Sequence, residues 1–195
     1  MIVGISLNRI CSILLSIIIW TVWFIYFILK NKKLREKKEI IKIAFLRLLL
    51  FLYIGFIIGL TLFPIAIPPR GIVDDIFINL NLFELFKYGF DKYGIVNILG
   101  NVLLFTPLII LTSLNSYKLF DKIYKVIICG IIFSLCIECM QYAEIYFGVA
   151  NSARSVDIVD VILNTIGALI GFIVFKVYCK SIENNEVKND SCNEI

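Results

Sequence analysis

Residues 151–171 read N-S-A-R-S-V-D-I-V-D-V-I-L-N-T-I-G-A-L-I-G, a polar signal written into an apolar run of membrane type. Asp157, Asp160 and Asn164 stand at i, i+3 and i+7, so on a helix they share one face, with Arg154 one turn earlier. Acids inside a bilayer need partners. The fold therefore turns on what the other apolar runs bring opposite this face.

Working outward, 60% of the 195 residues are hydrophobic and the mean hydropathy is +0.93. The apolar residues come in long uninterrupted runs, which places the chain among integral membrane proteins. The expected architecture is all-α and polytopic: about five transmembrane helices plus one short outer interfacial or re-entrant helix, in a single membrane domain with no room for a soluble catalytic module. The net charge of +4 comes mainly from one short basic loop, a topology signal that excludes nucleic acid as a partner. The chain has no His, which removes the commonest metal ligand and neutral-pH base and argues against zinc hydrolysis and Ser–His catalysis. No cofactor and no metal is expected. Cys11, Cys129, Cys136, Cys139 and Cys179 lie in expected spans or at their ends, with Cys192 in the tail; they read as free thiols packed like small apolar residues.

The first span covers residues 10–29, about twenty without a charge, enough at roughly 1.5 Å each to cross a core of about 30 Å. It is too long for a signal-peptide core and lacks a small-x-small cleavage site. Residues 30–42 carry seven Lys and Arg against Glu36 and Glu39, so this loop is cytoplasmic by the positive-inside rule. A second span, residues 43–63, has Arg47 near its inner end, placed to snorkel. Pro64, Pro68 and Pro69 close it outside. The outer segment 64–94 includes a mostly apolar stretch, residues 76–86, too short to cross and suited to the interfacial helix. The third span, residues 95–114, holds Asn97 and Asn101 one turn apart, then Pro107, which should kink the helix unless it is stabilised otherwise. A basic loop follows with Lys118, Lys122 and Lys125. The fourth span, residues 123–147, carries Glu138 and Gln141, and the fifth runs over residues 157–178. The tail, residues 181–195, reads as disordered and cytoplasmic. The loop charges put the amino terminus outside and the carboxyl terminus inside.

With that orientation the polar residues gather in the outer half. Asp157 and Asn97 fall at the interface, Asp160 and Asn101 about 5 Å down, and Glu138 and Asn164 roughly 10–14 Å down. Each would cost on the order of 2–3 kcal/mol facing lipid, so they face one another as an outward-opening funnel. Two readings stay open: a site for a polar ligand, or interhelical glue in which Arg154 meets Asp157 and Asn101, Glu138 and Asn164 meet one another. Small residues, Gly100, Gly130, Gly167 and Gly171, could hold the helices together without acids. Weaker motifs are Cys136-x-x-Cys139, and Asp157, Asp160 and Glu138 as oxygen ligands of a hard cation.

These residues resemble the VanZ-like family of small bacterial membrane proteins, named for a protein associated with teicoplanin resistance. The likeness rests on Asn97-x-x-Gly100-Asn101-x-x-x-Phe105-x-Pro107, on Glu138-x-x-Gln141, and on Arg154-x-x-Asp157-x-x-Asp160-x-x-x-Asn164-x-x-Gly167, within a VanZ-like region of about residues 64–176. An echo of the family's N-L-x-P-F segment stands at Asn79–Phe83, with Leu82 in place of the proline. Ala153 and Ile109 stand where the family commonly has glycine. The resemblance implies a multi-pass cell-envelope protein of a Gram-positive type of bacterium that lowers teicoplanin susceptibility. Its partners would be membrane lipids and a lipid-linked cell-wall precursor or the glycopeptide, bound at Asn97, Asn101, Glu138, Gln141, Arg154, Asp157, Asp160 and Asn164. An enzyme acting on a lipid-linked intermediate, with Glu138 or Asp160 as general base and Arg154 steadying negative charge, is the alternative. An ion-coupled transporter is the second, opposed by the lack of polar residues in the inner half.

Overall fold

A computed structural model describes residues 5–31, 37–67, 69, 71–73, 76–82, 92–150 and 155–192. Among these, five helices are long and apolar enough to cross a membrane: α1 (Ile10–Asn31), α2 (Lys37–Thr61), α3 (Lys92–Asn115), α4 (Ile123–Tyr146) and α5 (Ile158–Cys192). The chain is an all-α multi-pass membrane protein. Arg154 and residues 83–91 lie outside the described residues, and with them the expected Arg154–Asp157 contact and most of the expected interfacial helix.

The strongest helix packings join α3 to α5, α1 to α2, α4 to α5 and α2 to α3, so the helices line up in the order α1, α2, α3, α5, α4. Half of the spanning window of α5 is buried, against 11% of that of α1. The fifth span is the most buried of the five and the first the least.

Close approach of α5 to α3 follows from Gly167 and Gly171, whose missing Cβ atoms leave room for the Val102 and Thr106 carbonyls. The Thr106 hydroxyl then donates to the Gly167 carbonyl at 3.0 Å. The G-x-x-x-G spacing thus acts as a packing surface. Gly130 faces Ala168 across α4 and α5, whereas Gly100, expected to share this role, has nothing within 4 Å of where a Cβ would stand. Around these contacts Leu104, Phe105, Ile109, Val126, Ile137, Ala168 and Phe172 close the apolar core.

Pro107 sits inside α3. Having no N–H, it cannot pair with the Leu103 carbonyl one turn back. The Tyr53 hydroxyl of α2 reaches across to the Leu103 and Leu104 carbonyls, 3.1 Å from each. The helix continues through the proline because a neighbour supplies the donor.

The α1–α2 hairpin packs Ser16 and Ser12 against Gly55 and Gly59, and Trp20 Nε1 donates to the Ala44 carbonyl at 3.2 Å. Arg47, expected to snorkel, lies over the Trp23 ring, 5.0 Å from its centroid, a cation–π contact that shields its charge from lipid. At the end of the bundle that carries Lys118 and Lys122, Lys125 Nζ lies 2.6 Å from Asp121 Oδ1. That hydrogen bond holds the Asp121 carboxyl below its usual range.

The opposite end is capped by short strands where the sequence pattern predicts none. Strands β1 (Ile5–Leu7) and β2 (Ile65–Ile67) pair antiparallel, with Ile65 bridging to Ala150. Strands β3 (Ile78–Asn79) and β4 (Val156–Asp157) pair parallel, Asn79 opposite Asp157. Residues 76–82, expected in a helix, instead carry β3 and no helix: pairing with β4 satisfies backbone groups that a lone interfacial turn would expose. Gly148, in the left-handed region at φ 65°, ends α4, as glycine commonly does just past a helix.

The helical bounds also differ at α2 and α5. Lys37, Lys38 and Lys42 belong to α2 and not to a loop. The helix α5 runs on to Cys192, through much of the stretch expected to be a disordered tail, since no glycine or proline follows Gly171 to stop it.

Candidate functional site

The acids of the quoted stretch surround the first turn of α5. A helix leaves its first N–H groups without intrahelical partners and carries partial positive charge at that end. Asp157 immediately precedes α5, and its Oδ1 accepts the Val159 N–H at 2.8 Å, the geometry of an N-cap. Its Oδ2 accepts from the Asn79 amide at 3.0 Å, and Asn79 Oδ1 accepts the Asn81 N–H at 3.0 Å. Both oxygens of Asp157 are therefore committed, and the side chain is buried.

In a capping box, a side chain three residues after the cap returns to the cap residue's own N–H. Asp160 holds that place in sequence but turns away. The Asp157 N–H goes to Glu138 Oε2 of α4, 3.0 Å away and buried. One carboxylate thus reaches from a neighbouring helix to complete the cap of another.

Asp160 faces α3. Its Oδ1 accepts from the Asn101 amide at 2.6 Å, and Asn101 also donates to Asn97 Oδ1 at 3.1 Å. Asn101 and Asp160 are half-buried and Asn97 is exposed, so this chain of three polar side chains leads from the surface inward where α3 meets α5.

One turn deeper, Asn164 donates to Ser134 Oγ at 2.8 Å, with both residues buried between α4 and α5. Gln141 turns away from α5 and donates to the Thr61 carbonyl at the end of α2, 3.0 Å away. The seven of the eight expected residues that are described therefore do not gather in one group. Among those described, Glu138 and Asp157 close a buried cap, Asn164 a buried interhelical pair, and Gln141 a tie to α2. Asn97, Asn101 and Asp160 stay reachable. The expected Asn101–Glu138–Asn164 grouping is replaced by three separate pairings, because α5 begins at the depth of Glu138 on α4, so that Glu138 meets its first turn.

Asn79 and Ser134 join the polar set without having been expected in it. Ser134 stands four residues before Glu138, a helical repeat that puts it on the same face. Asn79 is marked in the sequence only as part of the Asn79–Phe83 echo. The hard-cation reading finds no support in the geometry: among the described residues no three His, Cys, Asp or Glu side chains group closely enough to hold a metal ion.

The family model described as VanZ/LLP1 matches residues 50–179. No curated protein and no solved structure matches the chain. The matched region starts inside α2 and takes in α3, α4 and the spanning part of α5, leaving α1, the edge of the row, outside it.

Proposed function

The chain belongs to the VanZ/LLP1 family, and from that premise we propose that it is a cell-envelope protein that binds the polar portion of a lipid-linked envelope component or an amphiphilic glycopeptide. Binding at this site lowers teicoplanin susceptibility. The capped end faces outward, because Lys30, Lys118 and Lys122, and Lys176 and Lys180 gather at the other end, which the positive-inside rule places in the cytoplasm.

The observation that supports this reading is the Asn97–Asn101–Asp160 chain. It offers an acceptor carboxylate and two amides, each able to donate and accept, reachable from the surface where two apolar helices meet. A site of that kind fixes orientation through a few convergent polar groups. Asp157, with both oxygens engaged in holding the helix start, serves the scaffold.

The test is teicoplanin susceptibility of a sensitive host expressing the protein, with membrane levels measured alongside. Loss of protection in Asn101→Ala and in Asp160→Ala at unchanged levels supports the site; protection retained in both removes it.

A further inference from the structure

A cleft lies on the flank of α5 that faces α4. It encloses about 290 Å³, near the lower end of the roughly 300–1,000 Å³ typical of small-molecule sites. Leu135, Glu138, Cys139 and Tyr142 of α4 line it at helical spacing, with Ile158 and Val161 of α5 opposite. It is open-sided. Leu135 and Tyr142 are 43% and 40% exposed, and Cys139 is exposed, so on a membrane-spanning helix this opening faces hydrocarbon.

At the head of this apolar cleft stand two buried carboxylates, Glu138 and Asp157; both oxygens of Asp157 are engaged. Glu138 is 5% exposed, and among the described residues its one hydrogen bond is the Asp157 N–H on Oε2. Two carboxylates buried side by side at the head of an apolar cleft are costly, and a cationic donor relieves that cost. The two helices are antiparallel. Leu135, three residues before Glu138, and Val161, four residues after Asp157, therefore both lie one turn toward the middle of the membrane. The cleft has a polar head and an apolar trough below it.

We propose that this cleft binds a single-chain amphiphile bearing a primary amine, taken from the membrane. The ammonium sits on Glu138 and the hydrocarbon chain runs down past Leu135 and Val161. The volume suits one chain, and the two buried carboxylates, Glu138 and Asp157, set the charge of the head. This site does not depend on the Asn97–Asn101–Asp160 reading, which concerns the flank facing α3.

Cys139 is a reporter inside the cleft, and Cys136, exposed on the same helix but not among the lining residues, is its control. The full chain is reconstituted in phosphatidylcholine vesicles, keeping either Cys139 or Cys136 and replacing the other cysteines by serine. N-ethylmaleimide alkylation is followed with hexadecylamine, hexadecanol or hexadecanoic acid in the bilayer. Hexadecylamine protects Cys139 about tenfold better than the alcohol, the difference expected of one charge-assisted hydrogen bond, and leaves Cys136 unprotected. Glu138→Gln, which keeps an acceptor for the Asp157 N–H, removes the preference for the amine. Leu135→Trp, a change at an exposed position that fills the trough, removes protection by all three. Equal protection by hexadecanol, equal protection of Cys136, or full protection in Leu135→Trp overturns the proposal. Should Glu138→Gln fail to fold, the Leu135→Trp result and the comparison of amine with alcohol decide it.

Discussion

Glu138 on α4 holds the backbone N–H of Asp157, 3.0 Å from its Oε2, at the residue from which α5 departs. This contact explains why a membrane protein carries an acid in the middle of an apolar helix. The fifth span begins at the level of a carboxylate from its neighbour, and the helix start, with its unpaired N–H groups and positive end, is what the acid faces.

Removing the Glu138 side chain leaves the Asp157 N–H buried without an acceptor. Glu138→Ala should lower stability by about 1–3 kcal/mol, while Glu138→Gln, whose amide oxygen can still accept, should lose much less. Unfolding of the purified protein in mixed micelles, followed by Trp20 and Trp23 fluorescence, separates the two. Equal losses would contradict the assigned role of the N–H.

Asp157 both caps α5 and anchors Asn79. Asp157→Ala should cost about 0.5–2 kcal/mol for the cap alone, with more from the unpaired Asn79 amide. Asn79→Ala, which leaves the cap in place, should cost less. The same unfolding measurement orders them, and a larger loss for Asn79→Ala would contradict the cap.

Tyr53 and Pro107 form a testable pair. Tyr53→Phe removes the donor to the Leu103 carbonyl and should cost about 0.5–1.5 kcal/mol. In a Pro107→Ala background, residue 107 regains an N–H for that carbonyl, and the cost of Tyr53→Phe should shrink. Additive effects in the double-mutant cycle would show that the hydroxyl does not compensate for the proline.

Gly167→Ala and Gly171→Ala push a methyl into the Val102 and Thr106 carbonyls and should each destabilise the bundle by about 1–3 kcal/mol through overpacking. Gly100→Ala, with open space around it, should be neutral. A loss at Gly100 comparable to that at Gly167 would contradict the packing of α3 on α5.

The five spans and the special status of the stretch around Asp157 are legible in the sequence, because apolar runs of about twenty residues and acids at helical spacing need no tertiary information. The shared level of Asn101 and Asp160 follows from counting rise along two helices from the same membrane face, and the structure brings those two side chains together. What counting cannot give is where each helix starts relative to its neighbours. Glu138 looks deep when α4 is measured from its end at residue 147, yet α5 begins about eight residues lower on that scale and meets Glu138 at its own first turn. The strand pairs are invisible for a related reason: two or three residues carry no period, and Asn79 and Asp157 are 78 positions apart. The role of Tyr53 cannot be read from sequence because it exists only once Pro107 has left a carbonyl bare on the adjacent helix.

The polar residues divide into a closed cap, Glu138 with Asp157 and Asn79, and a reachable set, Asn97 with Asn101 and Asp160. That division is tested most directly by comparing the Asn101→Ala/Asp160→Ala double variant with the parent, both for unfolding in micelles and for teicoplanin protection of a sensitive host. Stability should change by less than about 1 kcal/mol, as for partly exposed hydrogen bonds, while protection is lost. A double variant that still protects the host at normal membrane levels would contradict the division of roles.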